Sequence, residues 1–181
     1  MTIIKEEQIK YDAVFEVAKK MMIAARTAPK SKGKANIVQS IVIGKDIEIV
    51  SDKMKSLGEK YQQDFFIRDA ENILQAQALF LIGTKIKSVG LINCGFCGFL
   101  NCAAREKENK VPCAFNTGDL GIAVGSAVSV AMDNRVDNRI MYTVGLAIID
   151  LGLLGKEIAV AFGIPLSMST KNPFFDRRKF V

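Results

Sequence analysis

The chain contains no histidine and no tryptophan among its 181 residues. Without histidine, three kinds of site are excluded: the Ser-His-Asp and Cys-His nucleophile systems, histidine-ligated zinc, and acid–base catalysis by histidine. Any metal ion must therefore be held by sulfur or oxygen atoms.

Long uncharged stretches are also missing. The longest, residues 88–104, includes glycines, two asparagines and three of the four cysteines. A membrane-spanning helix needs about 20 apolar residues, and no stretch meets that requirement. The N-terminus carries acidic residues and no apolar signal core. We therefore expect no membrane segment and a cytoplasmic location, where free thiols and metal thiolates are more common than disulfides.

Basic residues outnumber acidic ones, giving a formal net charge of +6. Residues 19–34 hold six lysines and arginines and no acid, and a second basic cluster lies at residues 177–179. These clusters are interpreted either as a solvated face or as an anion site for a phosphate-bearing cofactor or substrate. Nucleic acid is not expected as a partner, because no aromatic residues are interleaved with the basic ones.

Helices and strands alternate along the predicted chain. Apolar spacing predicts helices over residues 6–25 and 64–75, and Ile47, Val50, Met54 and Leu57 form one stripe of another helix. Strands are predicted over residues 37–43, 78–82 and 87–93. Beyond Cys113, two apolar helices are expected, one starting at Asn116 and one over 140–154. A short helix ending at residues 163–165 and a strand over 166–170 complete the prediction.

This alternation indicates an α/β or α+β sandwich. The length is typical of one domain with at most a small insertion. We therefore predict a single domain over residues 1–181, with residues 88–115 as an inserted cysteine-rich, metal-binding segment.

The four cysteines are spaced Cys94-x2-Cys97-x4-Cys102-x10-Cys113. Four thiolates are what a [2Fe–2S] or [4Fe–4S] cluster needs, and also what an all-cysteine structural zinc site needs. A glycine follows each of the first two cysteines, which permits a tight turn and places amide groups against sulfur. Structural zinc sites more often have two CxxC pairs, whereas this chain has one. The spacing thus favours an iron–sulfur cluster, with zinc or unligated thiols as alternatives.

The run Cys94-Gly-Phe-Cys97-Gly-Phe-Leu-Asn-Cys102 resembles the CGxCGxxxC motif of small [4Fe–4S] domains in anaerobic corrinoid and electron-transfer proteins. Here the fourth cysteine, Cys113, arrives earlier than is usual there. Over its whole length the chain resembles an uncharacterised prokaryotic family described as containing a ferredoxin domain. The stretches that carry this likeness are AARTAPKSKGKAN, the cysteine cluster, NTGDLGIAVGSAV and GIPLSMSTKNPFFDR. The resemblance implies a [4Fe–4S] cluster.

A second resemblance concerns the scaffold. The residues from Ala24 through Asn36, followed by a strand, are similar to the AAPSxxN turn of the FMN-dependent nitroreductase family. The later apolar helices and the runs at residues 151–153 and 162–165 also match comparable elements. This likeness implies an α+β, nitroreductase-like sandwich, a homodimer with intertwined helices, and FMN at the subunit interface. The cysteine-rich, ferredoxin-type segment would then be an insertion.

The candidate flavin contacts that follow from this resemblance lie in the basic turn. They are Arg26, Lys30, Ser31 and Asn36. Nitroreductases also carry, before the first helix, an RRSxR motif that binds the flavin phosphate. This chain has only Lys5 and Lys10 in that region. Either the basic turn replaces that motif, or no FMN binds.

Three functions stay open at this point. The leading hypothesis is an iron–sulfur redox protein, either an electron carrier or a reductase, with an unidentified redox partner. The second is a structural protein in which zinc clips the cysteine loop. The third is an FMN-dependent, nitroreductase-like oxidoreductase with accessory cysteines. No general acid or base is identified, and Asp150 stands out only because it lies inside a predicted apolar helix.

Overall fold

A computed structural model of the chain describes residues 1–108 and 110–177. It has the predicted α+β architecture. Its helices are α1 (Glu6–Thr27), α2 (Asp46–Tyr61), α3 (Asp64–Ile73), α4 (Cys102–Glu106), α5 (Ala114–Asp133) and α6 (Tyr142–Asp150). Its strands are β1 (Ile37–Ile43), β2 (Ala78–Lys85), β3 (Asp137–Asn138) and β4 (Ile158–Ser167), with short 3₁₀ turns at Ser31–Gly33 and Pro173–Phe175.

The four strands form one antiparallel sheet in the order β1-β2-β4-β3. Strand β2 lies inside the sheet, with Phe80 opposite Ile41 of β1 and Ile164 of β4. Because side chains alternate along a strand, β2 supplies both faces of the core. Phe80 and Ile82 pack with α1 and α5, whereas Leu79 and Leu81 pack with α2, α3 and α6. The molecule is thus a sheet between two helical layers.

The predicted stripe of α2 is confirmed, since Ile47, Val50, Met54 and Leu57 are all buried. In α1, Val17 and Met21 are buried together with Val14, whereas Ile9 near the start of the helix is 48% exposed. No helix in the described ranges is long and apolar enough to cross a membrane.

Two further elements are predicted with the wrong type, and the strand predicted over residues 166–170 is only the end of β4, which stops at Ser167. Residues 87–93, all of them described, form turns and extended chain rather than a strand. The helix predicted to end at residues 163–165 is instead part of β4, in which Pro165 lies opposite Leu79. Glycine followed soon by proline is typical of a helix end, but here Val160, Phe162 and Ile164 alternate along a strand and pack on the side of α1 and α5.

Candidate metal centre and the neighbouring basic turn

Residues 88–115, the cysteine segment, lead from the end of β2 to the start of α5. Cys94 and Cys97 flank a turn in which the amide of Gly98 donates to the carbonyl of Gly95 at 2.8 Å. Gly98 has a φ of 86°, in the left-handed region that favours glycine. Cys102 opens α4, where the side chain of Asn101 accepts from the amide of Ala104 at 2.9 Å. The segment is therefore shaped by local turns and caps rather than by the sheet.

All four thiols are free. Cys113 is buried at the N-cap of α5, and the other three are half-buried. The thiol of Cys102 donates to the carbonyl of Leu91 at 3.8 Å. Across residues 1–108 and 110–177, no three cysteine, aspartate or glutamate side chains are close enough together to hold a metal ion. The cysteines share one segment but do not form a ligand set as the chain stands.

An aromatic contact ties the first two cysteines to the start of α5. The ring of Phe96, between Cys94 and Cys97, stacks on Phe115 with centroids 5.4 Å apart and planes 11° from parallel. Stacked aromatic pairs stabilise by about 1 kcal/mol beyond their buried area. Phe115 lies two residues beyond Cys113, so this contact holds the CxxC turn near the fourth cysteine.

A buried arginine ties down the rest of the segment. Arg105 is 3% exposed. Its Nε donates to the carbonyl of Val111 at 2.7 Å, its Nη1 to the hydroxyl of Ser88 at 3.3 Å, and its Nη2 to the carbonyl of Ile86. The sequence does not predict this burial, because a single arginine in the charged run AAREKEN is typical of a solvated side chain.

The entry to the segment has a further ionic anchor. Glu157, just before β4, pairs with the ammonium groups of Lys85 and Lys87, each at 3.3 Å. The hydrogen bond from Lys85, followed by that from Lys87, lowers the pKa of the Glu157 carboxyl below 4.5. The amide of Ile86 also donates to the Glu157 carbonyl at 2.9 Å.

The donor set fits a thiolate-ligated centre by its chemistry. The chain has four unpaired thiols and no histidine. Four thiolates are the ligand set of iron–sulfur clusters and of all-cysteine zinc sites. A centre bound by all four thiols would require the turns of residues 88–101 to rearrange, because no three possible ligand side chains are grouped among the described residues. Such coupling between loop folding and metal binding is common in metal sites.

In the neighbouring basic turn, Lys30 caps the C-terminal end of helix α1. Its ammonium group donates to the carbonyls of Ala25 at 2.7 Å, Arg26 at 2.9 Å and Ala28 at 2.7 Å. A lysine in this position satisfies carbonyls that the helix leaves open. Burial, followed by the charge of Arg26, lowers the pKa of Lys30 from 10.5, while Asp119 opposes the shift. Within this structure Lys30 is thus engaged by its own helix.

Ser31 and Asn36 are engaged by helix α5. The amide and the hydroxyl of Ser31 each donate to the carboxylate of Asp119 at 2.9 Å. The side-chain amide of Asn36 donates to Asn116 at 3.0 Å, and Asn116 in turn donates to the carbonyl of Lys87. The expectation that α5 starts at Asn116 is wrong, since the helix begins at Ala114 and both Asn116 and Asp119 are buried anchors inside it.

Arg26 lies apart from the other candidate flavin contacts. It is exposed and lines a shallow pocket of about 300 Å³ with Met22, Ile23, Thr27 and Gln39. Ser31 lines a different pocket of about 340 Å³, formed with Phe96 and the first turns of α5. Arg26 and Ser31 therefore line different pockets of one protomer, and a flavin site that joins Arg26, Lys30, Ser31 and Asn36 stays a prediction.

Asp150 is an exposed residue at the C-terminal end of α6. It pairs with Lys53 at 2.8 Å, and the hydrogen bond from Lys53 lowers the pKa of its carboxyl below 3.8. In the basic cluster at residues 177–179, Arg177 donates to the carbonyl of Phe175 at 2.9 Å. The other two members, Arg178 and Lys179, lie outside the described residues.

Comparison with solved structures shows the nitroreductase fold. Nitroreductase CinD from Lactococcus lactis, in complex with nicotinic acid, matches with a TM-score of 0.60 at 11% identity, covering 99% of this chain and 86% of that one. A nitroreductase with bound FMN from Desulfitobacterium hafniense matches at 0.57 and 14% identity, covering 94% and 81%. The predicted nitroreductase-like α+β sandwich is thus confirmed.

Sequence comparison points to a family. The family described as "Uncharacterized protein containing a ferredoxin domain" matches residues 109–177, a range that includes Cys113 but not the other three cysteines. An uncharacterized protein of Archaeoglobus fulgidus is 42% identical over 182 residues, covering 97% of each chain. The chain therefore belongs to one family with this archaeal protein, and its C-terminal part matches the uncharacterized proteins that contain a ferredoxin domain.

Proposed function

We propose that this protein is a redox protein in which Cys94, Cys97, Cys102 and Cys113 hold a [4Fe–4S] cluster. The observation that carries the proposal is the set of four free thiols within one segment. The ferredoxin domain named in the family description supports it. When bound, such a cluster supplies one-electron transfer, and its cysteines and surroundings set the potential and the access.

The surroundings of the thiols suit an electron carrier or a small reductase. Cys113 is buried, while the three other cysteines are half-buried. Around them Ile92, Phe96 and Leu100 are 91%, 81% and 88% exposed. Exposed apolar side chains that cluster together often mark a contact surface. We propose that the unidentified redox partner docks here, so that its own centre lies close to the thiols.

We also propose that the protein is a cytoplasmic homodimer that binds no nucleic acid. Helix α5 exposes Gly118, Gly121 and Gly125, and a Cβ atom added at any of them would meet nothing within 4 Å. Ile122 and Met132 on the same helix are 50% and 58% exposed. A flat apolar face of this kind suits close packing against a second copy, and sedimentation analysis would test it.

A flavin enzyme is the second candidate, and the fold favours it because a solved structure with this fold contains FMN. The geometry of one protomer does not fit the expected phosphate site, since Lys30, Ser31 and Asn36 are engaged by helices α1 and α5. Only Arg26 is exposed. If flavin binds as the resemblance implies, Arg26→Ala weakens FMN retention. Unchanged retention in that variant argues against this site.

Zinc is the third candidate, as a structural clip on the same four cysteines. It differs from the cluster in being colourless and redox-inert. Metal analysis of matched aerobic and anaerobic preparations distinguishes the two, because an iron–sulfur cluster is lost or damaged in air more readily than a zinc site.

The proposal is tested by Cys97→Ala. The variant should lose most of its iron and its colour while keeping the fold, because Cys97 is half-buried and makes no core contact. Iron content and visible absorbance are measured next to the unfolding midpoint. A folded variant that is coloured and has full iron content contradicts the assignment of this site.

A further inference from the structure

Arg105 connects three separate pieces of the chain. Its guanidinium bonds Ile86 and Ser88, where the chain leaves the sheet, and Val111, where it approaches α5. It projects from α4, the helix that begins with Cys102. The buried side chain of Arg105 thus links α4, in the middle of the cysteine segment, to both ends of that segment.

The charge of Arg105 is uncompensated. No carboxylate lies within ion-pair distance of it in the part of the chain that the structure describes, and its three acceptors are neutral. The acids on either side, Glu106 and Glu108, are exposed. Burying a cation without a negative partner is costly, so buried charges are usually paired. Arg105 departs from that rule.

The position of Arg105 indicates where a negative partner would lie. Residues three apart on a helix share a face, so Cys102 and Arg105 are neighbours on α4. Val111, which Arg105 holds, is two residues before Cys113. A guanidinium has five N–H donors, and Arg105 uses three of them. Arg105 therefore keeps two N–H donors and its positive charge next to the parts of the chain that carry Cys102 and Cys113.

We propose that Arg105 is the positioning residue of the cysteine site. It holds α4, which begins with Cys102, and the chain just before Cys113 to the end of β2, and its buried charge balances the negative charge of the thiolates and the centre they hold. The charge-balancing role rests on the function proposed above. The anchoring role does not, since it rests on the hydrogen bonds of Arg105 alone.

Two variants separate charge from geometry. Arg105→Gln removes the charge, and Arg105→Lys keeps the charge but loses the planar fork. Lys107→Gln is the matched control, because it removes one positive charge from an exposed position in the same segment. Ser88→Ala is a milder variant that removes a single acceptor at 3.3 Å, in case Arg105→Gln does not fold.

The first readout uses metal-free protein. Amide hydrogen exchange in residues 86–113 should be faster by about tenfold or more in Arg105→Gln, which is the factor expected for loss of charge-assisted hydrogen bonds. Ser88→Ala should show a smaller increase, and Lys107→Gln none. Equal exchange in Arg105→Gln and Lys107→Gln overturns the anchoring role.

The second readout is the reduction potential after reconstitution with iron and sulfide. Loss of a buried positive charge disfavours the reduced, more negative centre, so Arg105→Gln should have a lower potential than Arg105→Lys. Equal potentials in these two variants overturn the charge-balancing role. Wild-type protein that takes up no iron contradicts the proposed function, while the exchange measurement still decides whether Arg105 is an anchor.

Discussion

The sandwich and the cysteine segment differ in how deeply their apolar side chains are buried. In the sandwich, residues 79–82 of β2 are completely buried between two helical layers. In the cysteine segment, Ile92, Phe96 and Leu100 are mostly exposed. The segment is held instead by a stacked ring pair and by hydrogen bonds from Arg105. Apolar burial stabilises the one region, and a few directional contacts position the other.

We propose that this difference separates stability from metal binding within one small chain. A region stabilised by burial tolerates little change in volume, because its interior is close-packed. A region held by a few anchors opens at low cost, which suits the metal site that we propose for the cysteine segment. Damage to the sandwich should therefore change the free energy of unfolding, while damage to the segment should change metal binding.

The largest effect is expected where α6 packs on β4. A Cβ atom at Gly145 would overlap the backbone of Ala161. Gly145→Ala should lower the free energy of unfolding by about 3 kcal/mol, the upper part of the usual range for overpacking. Urea unfolding measures the change. Leu146→Ala, at a 39% exposed position on the same helix, is the control and should cost well under that amount. Similar losses in both variants contradict this account of the packing.

The next largest effect is expected in a buried ionic network beside α3. Asp69 accepts from Arg68 at 2.7 Å, from Arg139 at 3.2 Å and from the hydroxyl of Thr143 at 3.0 Å. Asp69→Asn leaves two arginines without their carboxylate and should cost about 2 kcal/mol, less than for a fully buried pair because both arginines are partly exposed.

The control for Asp69→Asn is Asp52→Asn, which breaks an exposed pair with Lys55. An exposed pair of this kind contributes about 0.5 kcal/mol or less. Thermal and urea unfolding of the two variants at equal protein concentration give the comparison. The network is not a stabilising element if Asp69→Asn unfolds no more easily than Asp52→Asn.

A smaller effect on stability is expected from the thiols themselves. Replacing Cys94, Cys97 and Cys102 by serine should change the free energy of unfolding of the metal-free protein by less than about 1 kcal/mol, because these side chains are half-buried and outside the core. Iron uptake should nevertheless be abolished. If the triple variant unfolds as readily as Gly145→Ala, the two regions are not energetically separate.

The smallest effect is a pH dependence at the entry to the segment. The folded pKa of Glu157 is depressed by Lys85 and Lys87, so its contribution is present above pH 4.5 and is lost as the pH falls through the lower folded value. Glu157→Gln should therefore flatten the dependence of stability on pH in the acid range. Unfolding of the wild type and of Glu157→Gln from pH 3 to pH 7 measures this dependence. Identical slopes of unfolding free energy against pH argue against Glu157 as an ionic anchor.

The sandwich was predictable where one local pattern decides the structure. The stripe of α2 follows from apolar spacing, β1 from its β-branched residues, and the first part of β2 from a short apolar run. Strand β4 was misassigned because Gly163 and Pro165 are typical of a helix end, whereas Gly163 is needed where Val144 of α6 approaches the strand. That requirement comes from tertiary contact, which spacing does not carry.

The candidate site was predictable in its ligands and not in its supports. Cysteine spacing alone proposes the four thiols. The role of Arg105 depends on Ile86, Ser88 and Val111, up to 19 residues away along the chain. The engagement of Lys30 by three carbonyls of α1 and the adjoining turn is likewise absent from the sequence pattern, which shows only a basic turn.

The most direct test of the central claim is a visible absorption spectrum of protein purified without oxygen, with iron, zinc and acid-labile sulfide assayed on the same sample. The account predicts a broad brown absorbance with matched iron and sulfide, about four of each per chain for a [4Fe–4S] cluster. Added flavin bands would extend the account to an FMN-binding redox enzyme. A colourless protein that contains zinc and no sulfide would contradict it, and the cysteine segment would then be a structural clip.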